Sequence, residues 1–310
     1  MSGSRPPSST RRPFGATLRA ESTVVDVALI LSVPVIMLAI MTIPRSVRAS
    51  FAFEYVSPSP VTAFASSFVH LSPLHLVWNL VAYTVVVSVT YLLAISSGQR
   101  RQFRVVFVSL VIATPVLVPY LNLTIVRQSA TVGFSGVLMA LYGYLPVSLG
   151  TYLQQQFDLG ADRTTAPLLF FVGLSVMTVL TLIAVVLNPV VVPVRGVSVP
   201  VTSVLAGTLV SLTGALVLVV ILYLTSVPEH SHEIRGKLRR AVRRPGYAEL
   251  AIVAGGVFLA IPFATFPINP VTEAGVLNLY SHLVGYGLGF TATYTWLAVE
   301  RWLFDETTAR

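Results

Sequence analysis

Residues 200–226 read PVTSVLAGTLVSLTGALVLVVILYLTS and contain no Asp, Glu, Lys, Arg or His. About 20 apolar residues at ~1.5 Å each cross the ~30 Å hydrocarbon core of a bilayer, and this stretch exceeds that length. Its reading decides the fold, because one span more or fewer reverses the side on which every later segment lies. Asn188-Pro189 and a Pro/Val-rich stretch containing Arg195 separate it from a similar run at 166–187. Six further runs of the same character lie near 23–44, 74–96, 104–125, 133–153, 249–268 and 276–298. They are apolar all round, unlike surface helices, and about twice as long as β-barrel strands.

Composition supports the same reading. Of 310 residues, 55% are hydrophobic and only 10% charged, with a mean hydropathy of +0.80. Soluble domains carry roughly 25% charged residues, so a soluble globular enzyme and a disordered polymer are both excluded. The expected fold class is all-α: a polytopic transmembrane helical bundle with about eight spans, in the cell membrane. With no cysteine, disulfides, thiolate chemistry and cysteine-ligated metals are excluded.

Charge placement orients the bundle. With a cytoplasmic N-terminus, only Arg45, Arg48, Arg127 and Arg195 among the 20 Lys and Arg fall on the outer side, the imbalance that the positive-inside rule demands. Eight spans with both termini cytoplasmic satisfy it. The basic cluster from Arg235 to Arg244 is then juxtamembrane, suited to setting topology and meeting anionic lipid, and nucleic acid is not an expected partner. Residues 1–22, rich in Ser, Pro and Arg and lacking the apolar core of a signal peptide, read as a disordered cytoplasmic tail. The membrane domain is expected over 23–300, with a second tail at 301–310.

Polar residues within spans are costly and so are candidates for function. Asp26 and Glu249 read as interfacial, and no other acid lies at membrane depth, which argues against a carboxylate proton relay. In FVHLSPLHLVWN, residues 68–79, Ser72-Pro73 marks a helix start. His75 is then in the first turn with Asn79 one turn on, a pair that serves either as interhelical glue or as part of a site. The fourth span opens Gly133-Phe134-Ser135-Gly136. Ser135 there meets free backbone N–H groups, and its glycine neighbours admit a close backbone approach. The nucleophile elbow of soluble hydrolases needs glycine where Val137 stands, and small-residue packing through Gly136 and Ala140 is the other reading. The last span carries Ser281-His282 with Gly285 and Gly289 on one ridge.

The second, fourth and eighth spans run from outside to inside, so His75, Asn79, Ser135 and His282 share one outer-leaflet depth. That level suits nucleophilic acyl transfer. Ser135 attacks a peptide carbonyl, His282 acts as general base and then acid, and the Ser135 N–H, Asn79 and His75 hold the oxyanion. No acid is expected beside His282, which makes the pair a dyad. Two histidines without a carboxylate or cysteine make a poor metal site, and no metal or cofactor is expected.

The set H-x-x-x-N (His75, Asn79), G-x-S-G (Gly133, Ser135, Gly136) and H-x-x-G-x-x-x-G (His282, Gly285, Gly289) resembles the rhomboid family of intramembrane serine proteases. The resemblance covers roughly 65–300 in arrangement. It implies a Ser135–His282 dyad, oxyanion donors at His75 and Asn79, close helix packing at Gly143, no cofactor, and membrane-spanning protein substrates cut near the extracytoplasmic leaflet. Three departures stand out. Three spans, not one, separate the Ser and His helices; Met139 stands where many members carry an aromatic residue; and the outer loop 45–72 offers Phe53, Glu54 and Tyr55 in place of a Trp-Arg pair. The span at 249–268 with its loop 269–275 is the expected lateral gate. An inactive rhomboid-like binder of membrane proteins is the alternative. A transporter is disfavoured, since no repeat is visible.

Overall fold

The computed structural model describes residues 13–124, 130–160, 162–189, 191–194, 197–225, 236–237, 239, 244–272 and 275–308. Short helices α1 (Phe14–Glu21), α3 (Arg45–Ala49) and α4 (Pro60–Ser66) flank the long ones. These are α2 (Val24–Met41), α5 (Pro73–Ser96), α6 (Arg100–Leu121), α7 (Ser135–Phe157), α8 (Asp162–Leu187), α9 (Val201–Thr225), α10 (Tyr247–Thr265) and α11 (Leu279–Thr308). Three antiparallel two-stranded pieces join them. β1 (Phe53–Glu54) pairs with β2 (Ala130–Thr131), β3 (Val191–Val194) with β4 (Val197–Pro200), and β5 (Val271–Thr272) with β6 (Gly275–Val276).

Seven of the long helices, α2 and α5 to α10, have the length and apolar composition to cross a membrane, which marks a multi-pass helical bundle. The stretch at 200–226 is one of them. The expected eighth, α11, is long enough but richer in Gly, Tyr and Thr. It differs because it faces protein: Tyr286 and Phe290 are buried in an aromatic stack with Tyr142 of α7 and Phe170 of α8. It also continues to Thr308, past the expected boundary at 300.

Burial ranks the helices. In its most apolar window α7 is 89% buried and α9 6%, so α7 is the axis of the bundle and α9 its most peripheral member, seated on α8. Directions follow from contacts near the helix ends. Gln156, at the end of α7, donates to Ser96 O at the end of α5, so those two run in parallel. Tyr152 near the end of α7 donates to Tyr247 O at the start of α10, so α10 runs the other way.

Two expectations are corrected away from Ser135, at the opposite end of the bundle. Residues 14–21, assigned to a disordered tail, form α1, because Phe14 and Leu18 make one apolar stripe. Phe14 packs edge-on against Tyr247, and Thr17 shares a 2.9 Å hydrogen bond with the Tyr247 hydroxyl. Residues 1–12 lie outside the described residues. Asp26 is not a hydrated interfacial acid but fully buried, because its carboxylate is satisfied. Arg104 forms an ion pair with it, Thr23 donates at 2.8 Å and Tyr91 at 3.1 Å.

Candidate active site

The first turns of α5, α7 and α11 come together at one end of the bundle. Ser72 is extended (φ −119°, ψ 129°) and Pro73 takes the first helical position of α5, so His75 sits in the opening turn. Its half-buried ring lies directly on Gly133: a Cβ there would stand 2.6 Å from His75 Cε1 and 3.2 Å from Nε2. Gly133 also has φ +119°, which side chains other than hydrogen adopt only under strain. Its N–H donates to Ser66 O at 2.9 Å, and the strand before it is hooked to the first loop by the Phe53–Thr131 pair.

Ser135 is half-buried and is the first residue of α7. The first intrahelical bond runs from Leu138 N–H to Phe134 O. Among the described residues, the N–H groups of Ser135, Gly136 and Val137 have no acceptor, as the geometry of a helix start dictates.

Asn79 is buried one turn below His75, yet its partner is His70. Its amide nitrogen donates to His70 Nε2 at 2.9 Å, and the Phe134 N–H points to the same nitrogen at 3.5 Å. The other ring nitrogen donates to Phe68 O at 3.3 Å. Burial pushes the His70 imidazole down to about 3, with the neighbouring His75 adding to the effect. His70 is therefore a neutral acceptor, edge-on to His75 at 5.1 Å. Buried Arg48 holds its carbonyl and donates to Ile43 O at 2.9 Å. The loop 45–72, which lacks a Trp-Arg pair, is thus tied to the start of α5 by Arg48. The pattern along the chain assigns His70 no role; its one signal is that it is a second histidine five residues before His75.

His282 is buried in α11, and its Nδ1–H donates to Thr265 O, the last helical carbonyl of α10, at 2.9 Å. The Phe266 ring meets the imidazole edge-to-face, with centroids 5.6 Å apart at 79°. Parallel packing of α7 and α11 sets its depth. A Cβ at Gly285 would stand 3.2 Å from the Gly136 carbonyl carbon and 3.1 Å from Met139 Cβ. One at Gly289 would stand 2.6 Å from the Ala140 carbonyl carbon, and one at Gly143 2.8 Å from Phe290 N. A Cβ at Gly136 would stand 3.0 Å from Val118 Cγ1 of α6 and 3.9 Å from the Ser281 carbonyl oxygen.

Above His282, Asn278 caps α11 by accepting from Ser281 N–H at 3.2 Å. Fully buried Asn122, just past α6, accepts from Asn278 at 2.8 Å and from the Ser281 hydroxyl at 3.1 Å. Tyr55 of the first loop accepts from Asn278 at 3.2 Å. The links of Asn122 and Tyr55 to this cap carried no legible signal, since they join residues more than 150 apart in the chain.

Among the described residues no hydrogen bond joins Ser135 to His282, and no cluster of three or more His, Cys, Asp or Glu residues could hold a metal ion. The arrangement combines a hydroxyl at a helix start, three N–H groups with no acceptor, a second hydrogen on the Asn79 amide, and an imidazole whose fixed Nδ1–H leaves Nε2 as a base. Such a set can perform acyl transfer, and catalytic hydrogen bonds commonly tighten only when substrate binds. Comparison with protein-family models, curated proteins and solved structures finds no match.

Proposed function

We propose that the chain is a rhomboid-type intramembrane serine protease, with α11 as an eighth span and both termini cytoplasmic, acting on membrane-spanning proteins near the extracytoplasmic leaflet. The observation that carries this reading is the convergence of Ser135, His282, His75 and Asn79 in the opening turns of three helices, where His282 Nδ1–H is already bonded to Thr265 O.

In the reaction, His282 Nε2 removes the Ser135 hydroxyl proton as Oγ adds to the scissile carbonyl carbon. The resulting oxyanion is held by the N–H groups at the start of α7, by the Asn79 amide and by His75. His282 then gives the proton to the leaving amine, and the C–N bond breaks to leave an acyl ester on Ser135. Water, deprotonated by His282, hydrolyses the ester and restores the hydroxyl.

The test is cleavage of a helix-destabilised membrane substrate by the wild type, Ser135→Ala and His282→Ala in liposomes, with fluorophosphonate labelling as a second readout. Cleavage and labelling in the wild type alone support the reading; equal cleavage in all three removes it. A second reading, a membrane-protein binder that does not cut, is favoured by the missing Ser135–His282 hydrogen bond. It predicts substrate capture with neither cleavage nor labelling.

A further inference from the structure

The nitrogen of His282 that the proposed chemistry does not use, and the ring itself, are engaged by two consecutive residues, the last of α10 and the one that caps it. Thr265 O accepts the Nδ1–H at 2.9 Å, and Phe266 lies edge-to-face on the imidazole. A single hydrogen bond fixes one point of a ring but leaves rotation about the Nδ1···O line. An edge-to-face aromatic neighbour opposes that rotation, because tilting the ring forfeits the contact between the edge of one ring and the π face of the other.

Among the described residues, no other aromatic ring meets His282. The α7 position one turn after Ser135 holds Met139, a flexible thioether whose Cβ would stand 3.1 Å from a Cβ added at Gly285. The other imidazoles of the site are spoken for, His75 by Gly133 and His70 by Asn79. Phe266 is itself immobilised. It is almost wholly buried, and as the residue that ends α10 its N–H is tied to Pro262 O at 2.8 Å.

We propose that Phe266 is a positioning residue for His282, so that the last turn of α10 sets the orientation of the general base. The proposal rests on the protease reading. It also gives α10 a second role beside any part in substrate entry: moving its end carries both Thr265 O and Phe266 off the imidazole.

The test compares the wild type with Phe266→Leu, Phe266→Met and Phe266→Tyr, using two substrates. One is the membrane-spanning protein; the other is a small soluble fluorophosphonate that reaches Ser135 without helix movement. Loss of an aromatic pair corresponds to about a three- to tenfold effect. Phe266→Leu and Phe266→Met are expected to lower kcat and the labelling rate by the same factor of that size with KM unchanged, and Phe266→Tyr to restore both.

A change confined to KM for the membrane substrate, with labelling intact, would make Phe266 a gate residue and overturn the proposal. So would wild-type rates in both the Leu and Met variants. Met fills the site with an unbranched apolar chain, so a misfolded Leu variant does not end the test. If the wild type neither cleaves nor labels at Ser135, the protease reading fails by itself, whatever Phe266 does.

Discussion

Replacing Gly289 with alanine tests the seam between α7 and α11 most directly. The added Cβ would stand 2.6 Å from the carbonyl carbon of Ala140 and 2.7 Å from its Cα, with the Ala140 oxygen nearer still. Cβ atoms essentially never approach other atoms within 3.0 Å. The obstacle is backbone of the most buried helix in the bundle, so no side chain can swing away. The helices must part by about 1 Å, an overpacking strain of about 1–3 kcal/mol. His282 lies seven residues earlier on the same helix, about 10 Å along the axis, and it moves with α11. A displacement of about 1 Å between reacting groups costs on the order of 100-fold in rate. Gly287→Ala is the control: a Cβ there meets nothing within 4 Å. The assay is initial cleavage rate in liposomes together with thermal midpoint in detergent. The expected outcome is a loss of about 100-fold with a lowered midpoint for Gly289→Ala, and rates within about twofold of wild type for Gly287→Ala. If the two variants coincide on both readouts, the backbone contact at this seam does not set the site.

Asn79→Ala should lower turnover by about 10–1000-fold, as loss of an oxyanion donor does, and an unchanged rate would remove Asn79 from the site. His70 titrates near 6.5 when unfolded and at about 3 when folded, so the folded chain binds fewer protons between those values. Its stabilising contribution is complete above pH 6.5 and falls as pH drops towards 3, by up to about 1.4 kcal/mol per unit. Thermal midpoints at pH 7, 6 and 5 should therefore fall less steeply for His70→Gln than for the wild type; identical slopes would contradict the burial argument. Asp26→Asn should lower the thermal midpoint by leaving Arg104 without its partner. The double variant Asp26→Asn/Arg104→Gln should lose less than the two single variants together, and strict additivity would show that the pair is not coupled. Asn122→Ala leaves Asn278 and Ser281 short of an acceptor and should destabilise by about 1–3 kcal/mol, read from denaturant or thermal unfolding.

The spans were legible because hydrocarbon imposes a length and a composition on whatever crosses it. The same criterion undercounts α11, since a helix packed along one side against protein is free to carry Tyr286, Thr293 and three glycines. Spacing along one helix placed His75 and Asn79 on a common face, but it could not see His70 folding back from the loop to take the Asn79 amide. Thr265 and Phe266 were inside the segment expected to be a gate, yet nothing local marked them as neighbours of His282. The partner of Asp26 is likewise 78 residues away. A charge count can foresee an acid near an interface, but not the guanidinium that removes it from water.

The carbonyl behind His282 has an electrostatic consequence. A serine–histidine pair is ordinarily backed by a carboxylate, a full negative charge whose transfer into a low-dielectric medium costs several kcal/mol even after relaxation. Thr265 O is the terminal carbonyl of α10, where aligned peptide dipoles sum to about half a negative charge. That half charge is neutral in the ledger of ions, cannot be protonated, and requires no counter-ion. A helix end can therefore bias the tautomer of an imidazole where a buried aspartate would be costly, and a chain only 10% charged needs no acid to hold its histidine in place.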